Sequence, residues 1–384
     1  MHRLKKDPEL YYYLNSKGEK LYAYRHRYYD ALGKRKEKQK QAFTSENEAY
    51  RSLLEVRTKL LNGNVKHVEN SNLTVSEWID IWYETHKNDW KITSRTQREN
   101  AIKYQMKPLL GKYKLAELDK TTYKRVFINV LLEKYKPSTV RLFHRLFKVA
   151  INAAVDSEII SRNRFNKIII KDNDEDNDNL ENFLTTSELN KFLNFSKKLE
   201  NITNFTLILL LAYSGLRKGE ALGLKWEDIN NSARTLTVKR TRDNKGVRSP
   251  KTKNSLRTIL IDEIVIKQLE TYKKWCKATK LSFGTHLKED DFIFISYQTA
   301  TPVTDNTIKY SFERIQKKTG VKRITPHGLR HTHATILIEQ RTPIRTIAER
   351  LGNTPEMIMT IYGHSFEQLE KESVQAFGNV VKFG

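Results

Sequence analysis

Residues 171–179 read KDNDEDNDN, and no folded core can be built across them. Five acids stand in eight residues with asparagine between them, so the run repels itself and has nothing apolar to bury. The chain must then fold as separate bodies on either side, with 171–180 as an acidic linker. A calcium loop is the other reading of such a run, but the glycine and closing glutamate of an EF-hand are missing. The 384 residues, 38% of them hydrophobic, are enough for two or three domains with real cores.

Upstream of the linker the periodicity changes once. Within 1–68, KLYAYRHRYY (20–29) alternates as a strand and is rich in aromatics. DALGK (30–34) supplies a glycine turn, and KRKEKQKQAF (34–43) returns as a basic strand. Ser45 and Glu48 form a capping box opening a helix to about Leu61. The simplest assembly is a small sheet of two or three strands backed by one helix. Its basic, aromatic face can lie in a DNA groove, with Tyr24, Arg25, Arg27, Lys34, Arg35 and Lys36 as candidate contacts. The competing reading is a solvated edge, because lysines also guard edge strands against aggregation. From 73 to 165 every pattern is helical: a capping box at Thr74 and Glu77, then helices over 75–86, 94–111, 121–134 and 137–160, the last opened by Pro137. This segment reads as a four- or five-helix domain.

Downstream, residues 181–384 are mixed. TTSELNKFLNF and NFTLILLLAYSG are helical, LTVKR (236–240) and RTILI (257–261) are strands around a basic loop, DDFIFIS is a short apolar run, and further helices follow. The expected class is mainly α with small β-sheets, an α+β chain.

Charge narrows the partner. Lys plus Arg total 69 against 45 acids, a formal net of +24, and such an excess favours a polyanion, nucleic acid above all. A membrane surface is a weaker candidate, since no basic amphipathic helix carries an apolar anchor. No stretch approaches the length of a membrane span, and MHRLKKDPEL lacks the apolar core of a secretory signal. The lone Cys276 rules out an internal disulfide and fits a reducing cytoplasm.

Several residues carry chemistry. In HGLRHTHAT (327–335), His327 and Arg330 project from one helix face, either a proton-transfer group beside a two-oxygen clamp or, as such pairs more often are, simply a solvated pair. His331 and His333 invite a metal, but two residues apart on a helix they face different ways, and no Cys or carboxylate cluster accompanies them. In YSGLRKGEALGLKWEDI (213–229), Arg217 sits beside an apolar run and needs an anion, either Glu220 or a bound phosphate. Lys251 and Lys253 lie in the loop between strands, where a lysine can contact a phosphate, be merely solvated, or give a leaving oxygen its proton. Tyr362, in LGNTPEMIMTIYGHS, reads locally as either a core aromatic or a nucleophile.

Together, SGLRKGEALGLKWEDI, PKTKNSLRTI, HGLRHTHAT, LGN and IYGH resemble the tyrosine recombinase family, which includes lambda integrase and the Xer recombinases. The resemblance spans about 181–370, and the helical segment 73–165 fits the family's core-binding domain. Residues 1–68 are similar, by pattern, to the arm-binding domains of phage and conjugative-transposon integrases.

The resemblance implies that Tyr362 attacks the scissile phosphate and that Arg217 and Arg330 clamp its oxygens. It also implies that Lys251, with Lys253 as competitor, protonates the departing 5′ oxygen and that His327 assists proton transfer. Nearby cations should then favour ionisation of the tyrosine. The family usually has histidine or tryptophan where Asn353 stands. Asparagine can donate a hydrogen bond to a phosphate but cannot titrate, which leaves His364 as a further neighbour of the tyrosine. No cofactor or metal is implied. The implied partners are double-stranded DNA attachment sites and sister protomers in a tetramer, with an excisionase and a host DNA-bending protein in addition. The tail 365–384 would dock on a neighbour or pack in cis. Two other readings remain: a chromosome-dimer resolving recombinase, and a DNA-binding regulator with a decayed site.

Overall fold

The structure, a computed structural model, describes residues 2–29, 33–61, 68, 70–171, 182–250 and 253–362, with 373, 374, 377 and 380 beyond them. The acidic run 172–179, Lys251 and His364 fall outside the described residues, as does most of the tail. The chain divides into two compact units, Met1–Asp176 and Asn177–Gly384.

The first unit opens with β1 (His2–Arg3), β2 (Leu10–Leu14), β3 (Lys20–Tyr29) and β4 (Arg35–Phe43), an antiparallel sheet in chain order. The sequence suggested two or three strands; LYYYL pairs residue for residue with β3, Leu10 opposite Tyr24, and the short β1 adds a fourth strand on the edge of β2. Helix α1 (Glu46–Leu61) starts after Ser45, whose hydroxyl accepts from the Glu48 amide at 3.2 Å. It covers one sheet face and closes a small core of Leu10, Tyr24, Ala49 and Leu53.

Tyr24 therefore does not serve as a DNA contact. Its ring is 2% exposed, because the period-two alternation of β3 turns it toward α1. Arg25 and Arg27 point to the opposite face with Glu37 between them, while Lys34, Arg35 and Lys36 are exposed.

A separate core follows in the same unit. Helix α2 (Val75–His86) is opened by the full Thr74–Glu77 capping box. Helix α3 (Ile92–Ala101) runs through a π turn (Ile102–Met106) into Lys107–Leu110, and α4 (Lys120–Tyr123) runs likewise through Lys124–Asn129 into Val130–Leu132. Helix α5 (Pro137–Asp156) begins on proline, which has no amide hydrogen to leave unpaired in the first turn. The Trp78 indole donates to Ala150 O at 2.8 Å, and Tyr123, Phe127, Phe147 and Phe165 stack around the centre.

The second unit is built around α7 (Ile202–Ser214), which follows α6 (Thr186–Leu199). Apolar on nearly every side, α7 is buried among α6, α9 (Glu263–Ser282), α10 (Thr307–Thr319) and α11 (Pro326–Glu339). Between α7 and α9 lie the short α8 (Lys218–Leu222) and strands β5 (Ile229–Asn230), β6 (Thr235–Val238), β7 (Thr241–Asp243), β8 (Gly246–Arg248) and β9 (Arg257–Leu260). Strands β5, β6 and β9 form one antiparallel sheet and β7–β8 a separate hairpin. The expected basic loop thus carries a hairpin of its own. Helices α12 (Ile344–Leu351) and α13 (Pro355–Ile361) complete the unit. Among the described residues no helix is long and apolar enough to cross a membrane.

Candidate active site

The site forms where the buried helix α7 ends. Gly215 turns the chain at φ 65°, a left-handed conformation that side chains with a Cβ resist. The carbonyl of Gly215 accepts from Arg330 Nη1 at 2.9 Å, and Arg330 Nη2 donates to Leu351 O at 2.7 Å. Arg330 thus ties the end of α7 to the end of α12. It is 2% exposed, and both of these bonds go to neutral carbonyls. Burial, with the Arg217 charge beside it, pushes its pKa down to about 9. A buried cation whose hydrogen bonds, among the described residues, go to carbonyls is one that an arriving anion would stabilise.

Arg217 caps α8. Its Nη1 donates to Glu220 Oε1 at 2.8 Å, and its Nη2 donates to Asn353 Oδ1 at 2.7 Å. Its side chain stays 37% exposed, open to a ligand. Glu220 serves two arginines, since Arg257 Nη2 also reaches it at 2.9 Å. Burial works to raise the Glu220 pKa, but the Arg257 hydrogen bond and the charges of Arg257 and Arg217 hold it below its usual value. Both alternatives for Arg217 are thereby compatible: Glu220 orients it and one face remains free.

Asn353 follows Gly352, itself left-handed at φ 66°. Arginine can only donate, so the oxygen of the Asn353 amide must face Arg217. The sequence suggested an amide donating to phosphate; here the carbonyl end is committed to positioning Arg217. A groove of about 600 Å³ opens beside it, lined by Asn254, Leu256, Arg257, Arg345 and Gly352.

Tyr362 caps α13 and is 3% exposed, packed with Ala334, Ile338 and Ile347. Its hydroxyl lies 3.0 Å from His331 Nδ1. Burial pushes the phenol up to about 12, and the Arg330 charge pulls the other way without prevailing. The Arg330 cation does favour ionisation, as expected, but desolvation of the ring and oxygen outweighs it. His327 reaches solvent in part, yet burial, then His331, Arg330 and Arg217, push its imidazole down to about 4. Its ring meets that of His331 edge-on at 4.7 Å.

Sequence reading missed two members. His331 was weighed only as a metal ligand; it stands four residues after His327, one helical turn along the same face. Arg257 opens an apolar strand, a charge where none is expected, and that was its signal. The two histidines of HTH do face apart. His333 contacts Ala212 O through Nδ1 and Arg350 Nε through Nε2, both at 2.9 Å. Lys251 lies outside the described residues, and Lys253 is described only as backbone in a turn, Lys253–Ser255.

The arrangement is a cation-lined site for an anion beside a buried phenol, on a helical scaffold. Three family models match: the phage integrase family over 182–368, the phage integrase N-terminal SAM-like domain over 74–132, and the arm DNA-binding domain over 10–60. The tyrosine recombinase XerC-like protein of Caldanaerobacter subterraneus subsp. tengcongensis is 26% identical, over 84% of this chain and 88% of its own length. The integrase of Staphylococcus phage L54a is 25% identical over 85% of this chain and 99% of its own. The Tn1549 transposon integrase, solved with circular intermediate DNA, shares the fold at a TM-score of 0.66 and 20% identity, over 78% of this chain and 99% of that one. By class the protein is a tyrosine recombinase, a DNA-rejoining enzyme. Within that class the chain belongs to the phage integrase family.

Proposed function

We propose that this integrase joins a mobile element or prophage to its host DNA, and excises it, through a 3′-phosphotyrosine on Tyr362. The observation that carries the reading is the meeting of Arg217, Asn353, Arg330 and Tyr362, from segments far apart in the chain.

Tyr362 Oη attacks the scissile phosphorus as the P–O5′ bond breaks. Arg217 and Arg330 take the charge that gathers on the non-bridging oxygens; one pre-placed donor of this kind contributes about 3 kcal/mol. Lys251, or Lys253 in its stead, gives the departing 5′ oxygen its proton, and His327 assists. The phosphotyrosine conserves the bond energy, so a 5′ hydroxyl from the partner strand religates without ATP. Two such exchanges, through a Holliday junction, rejoin four strands.

In this reading residues 1–68 hold arm-type sites through Arg25, Arg27, Lys34, Arg35 and Lys36. Residues 73–165 and 181–384 clamp the core site, 171–180 links them, and four protomers act together on DNA. An excisionase and a host bending protein set direction, and the work is done on DNA in the cytoplasm. The family models for the arm-binding and SAM-like domains support the first two assignments.

The test is trapping on a nicked suicide substrate. Wild type should form a covalent adduct that Tyr362→Phe abolishes. Absence of an adduct from wild type under conditions of tight DNA binding would sink the reading in favour of a decayed regulator.

A further inference from the structure

A buried phenol whose pKa is raised cannot wait as a phenolate; its proton must leave as the bond to phosphorus forms. Among the described residues, the hydroxyl of Tyr362 has one ring nitrogen beside it, His331 Nδ1 at 3.0 Å, with ring centroids 5.6 Å apart. We propose that His331 is a further catalytic residue, the base that accepts the Tyr362 proton during attack and returns it at religation. The proposal rests on Tyr362 being the nucleophile.

His331 is suited to this by position. It stands on α11 directly after Arg330, whose two carbonyl bonds fix that part of the helix. Among the described residues, the titratable and charged groups around it are Arg330 and His327 on its own helix and Tyr362 beyond α13. Burial, then the Arg330 charge, keeps the imidazole neutral, and the Nε2–H tautomer leaves the Nδ1 lone pair toward the hydroxyl. The other two histidines of the helix have different surroundings. Both nitrogens of His333 are engaged with Ala212 and Arg350, and the ring of His327 meets the ring of His331.

The step balances. The Oη–H bond breaks as Oη–P forms, and the proton moves to His331 Nδ1. The P–O5′ bond breaks, and O5′ takes a proton from the lysine. On religation the incoming 5′ hydroxyl returns a proton to the lysine as it bonds to phosphorus, and it displaces Oη, which recovers its proton from His331.

The experiment uses the full chain in single-turnover cleavage of two suicide substrates, one with the natural 5′ oxygen and one with a 5′-bridging sulfur. Sulfur leaves without protonation, so it rescues a lost acid but not a lost base. His331→Ala should cleave about 10²-fold more slowly with unchanged DNA affinity, gain nothing from sulfur, and recover in part between about pH 7 and about pH 9. His331→Gln, which can still bond the hydroxyl but cannot hold its proton, should be as slow; it carries the test if the alanine variant folds poorly. Wild-type rates in His331→Gln, or rescue of either variant by sulfur, overturn the proposal while adduct formation by wild type leaves the nucleophile reading intact. No adduct from wild type overturns both.

Discussion

Glu220 holds two arginines at once, and its charge is what keeps Arg217 aimed. Its ordinary pKa is 4.5 and its folded value is lower, so its contribution to stability is complete above about 4.5 and is lost as pH falls through the folded value. Glu220→Gln should cost about 3–5 kcal/mol at neutral pH, because Arg257 is left buried without its counter-charge. Urea denaturation across pH measures both the loss and the disappearance of that acid limb. His333 titrates in the same sense for a different reason. Burial, then Arg350, holds its folded pKa near 4 against an ordinary 6.5, so the unfolded chain takes the proton first. Stability from this group is full above 6.5 and falls toward 4, by at most about 1.4 kcal/mol per pH unit. His144 and His327 are also held near 4, so the wild type minus His333→Gln difference isolates the residue. Arg330 requires a conservative test as well. Alanine would strip two carbonyls of their donor, so Arg330→Lys is the variant expected to lose cleavage while retaining most DNA affinity.

At the scale of elements, the site depends on how helices end. Gly215 closes α7, and a Cβ there would stand 2.6 Å from Leu351 Cδ2 and 2.8 Å from His333 Cδ2. Gly215→Ala should lose at least about 1–2 kcal/mol from the left-handed backbone alone. It should also slow cleavage, because the Gly215 carbonyl that holds Arg330 moves with it. Thermal unfolding paired with suicide-substrate cleavage reads the two effects. Thr74→Ala is the contrast: losing the α2 capping box should cost about 1 kcal/mol and leave the rate of the chemical step unchanged.

At the scale of the whole molecule, the net charge of +24 makes affinity a function of salt. Arg35 is exposed at the start of β4, on the sheet proposed to hold arm sites. Arg35→Ala should weaken arm-site binding and reduce the slope of log affinity against log salt by about 1, with core-site cleavage unaffected. Titrations at several salt concentrations measure the slope.

What the sequence determined by itself was local or compositional. The capping box at Thr74, the proline start of α5, the apolar α7 and the strands β3, β6 and β9 are set by residues a few positions apart. The order of Arg217, His327, Arg330 and Tyr362 was legible as a set of chemical types. Tertiary structure decided which way each one faces. The strand pattern of β3 marked Tyr24 as aromatic, but only the packing of α1 put it inside. Asn353 met Arg217 across 136 residues, and Tyr362 met His331 across 31, distances at which no periodicity speaks. The same packing raised the phenol that charge-counting along the chain had lowered, because desolvation depends on how many neighbours surround a group, and linear sequence does not record that.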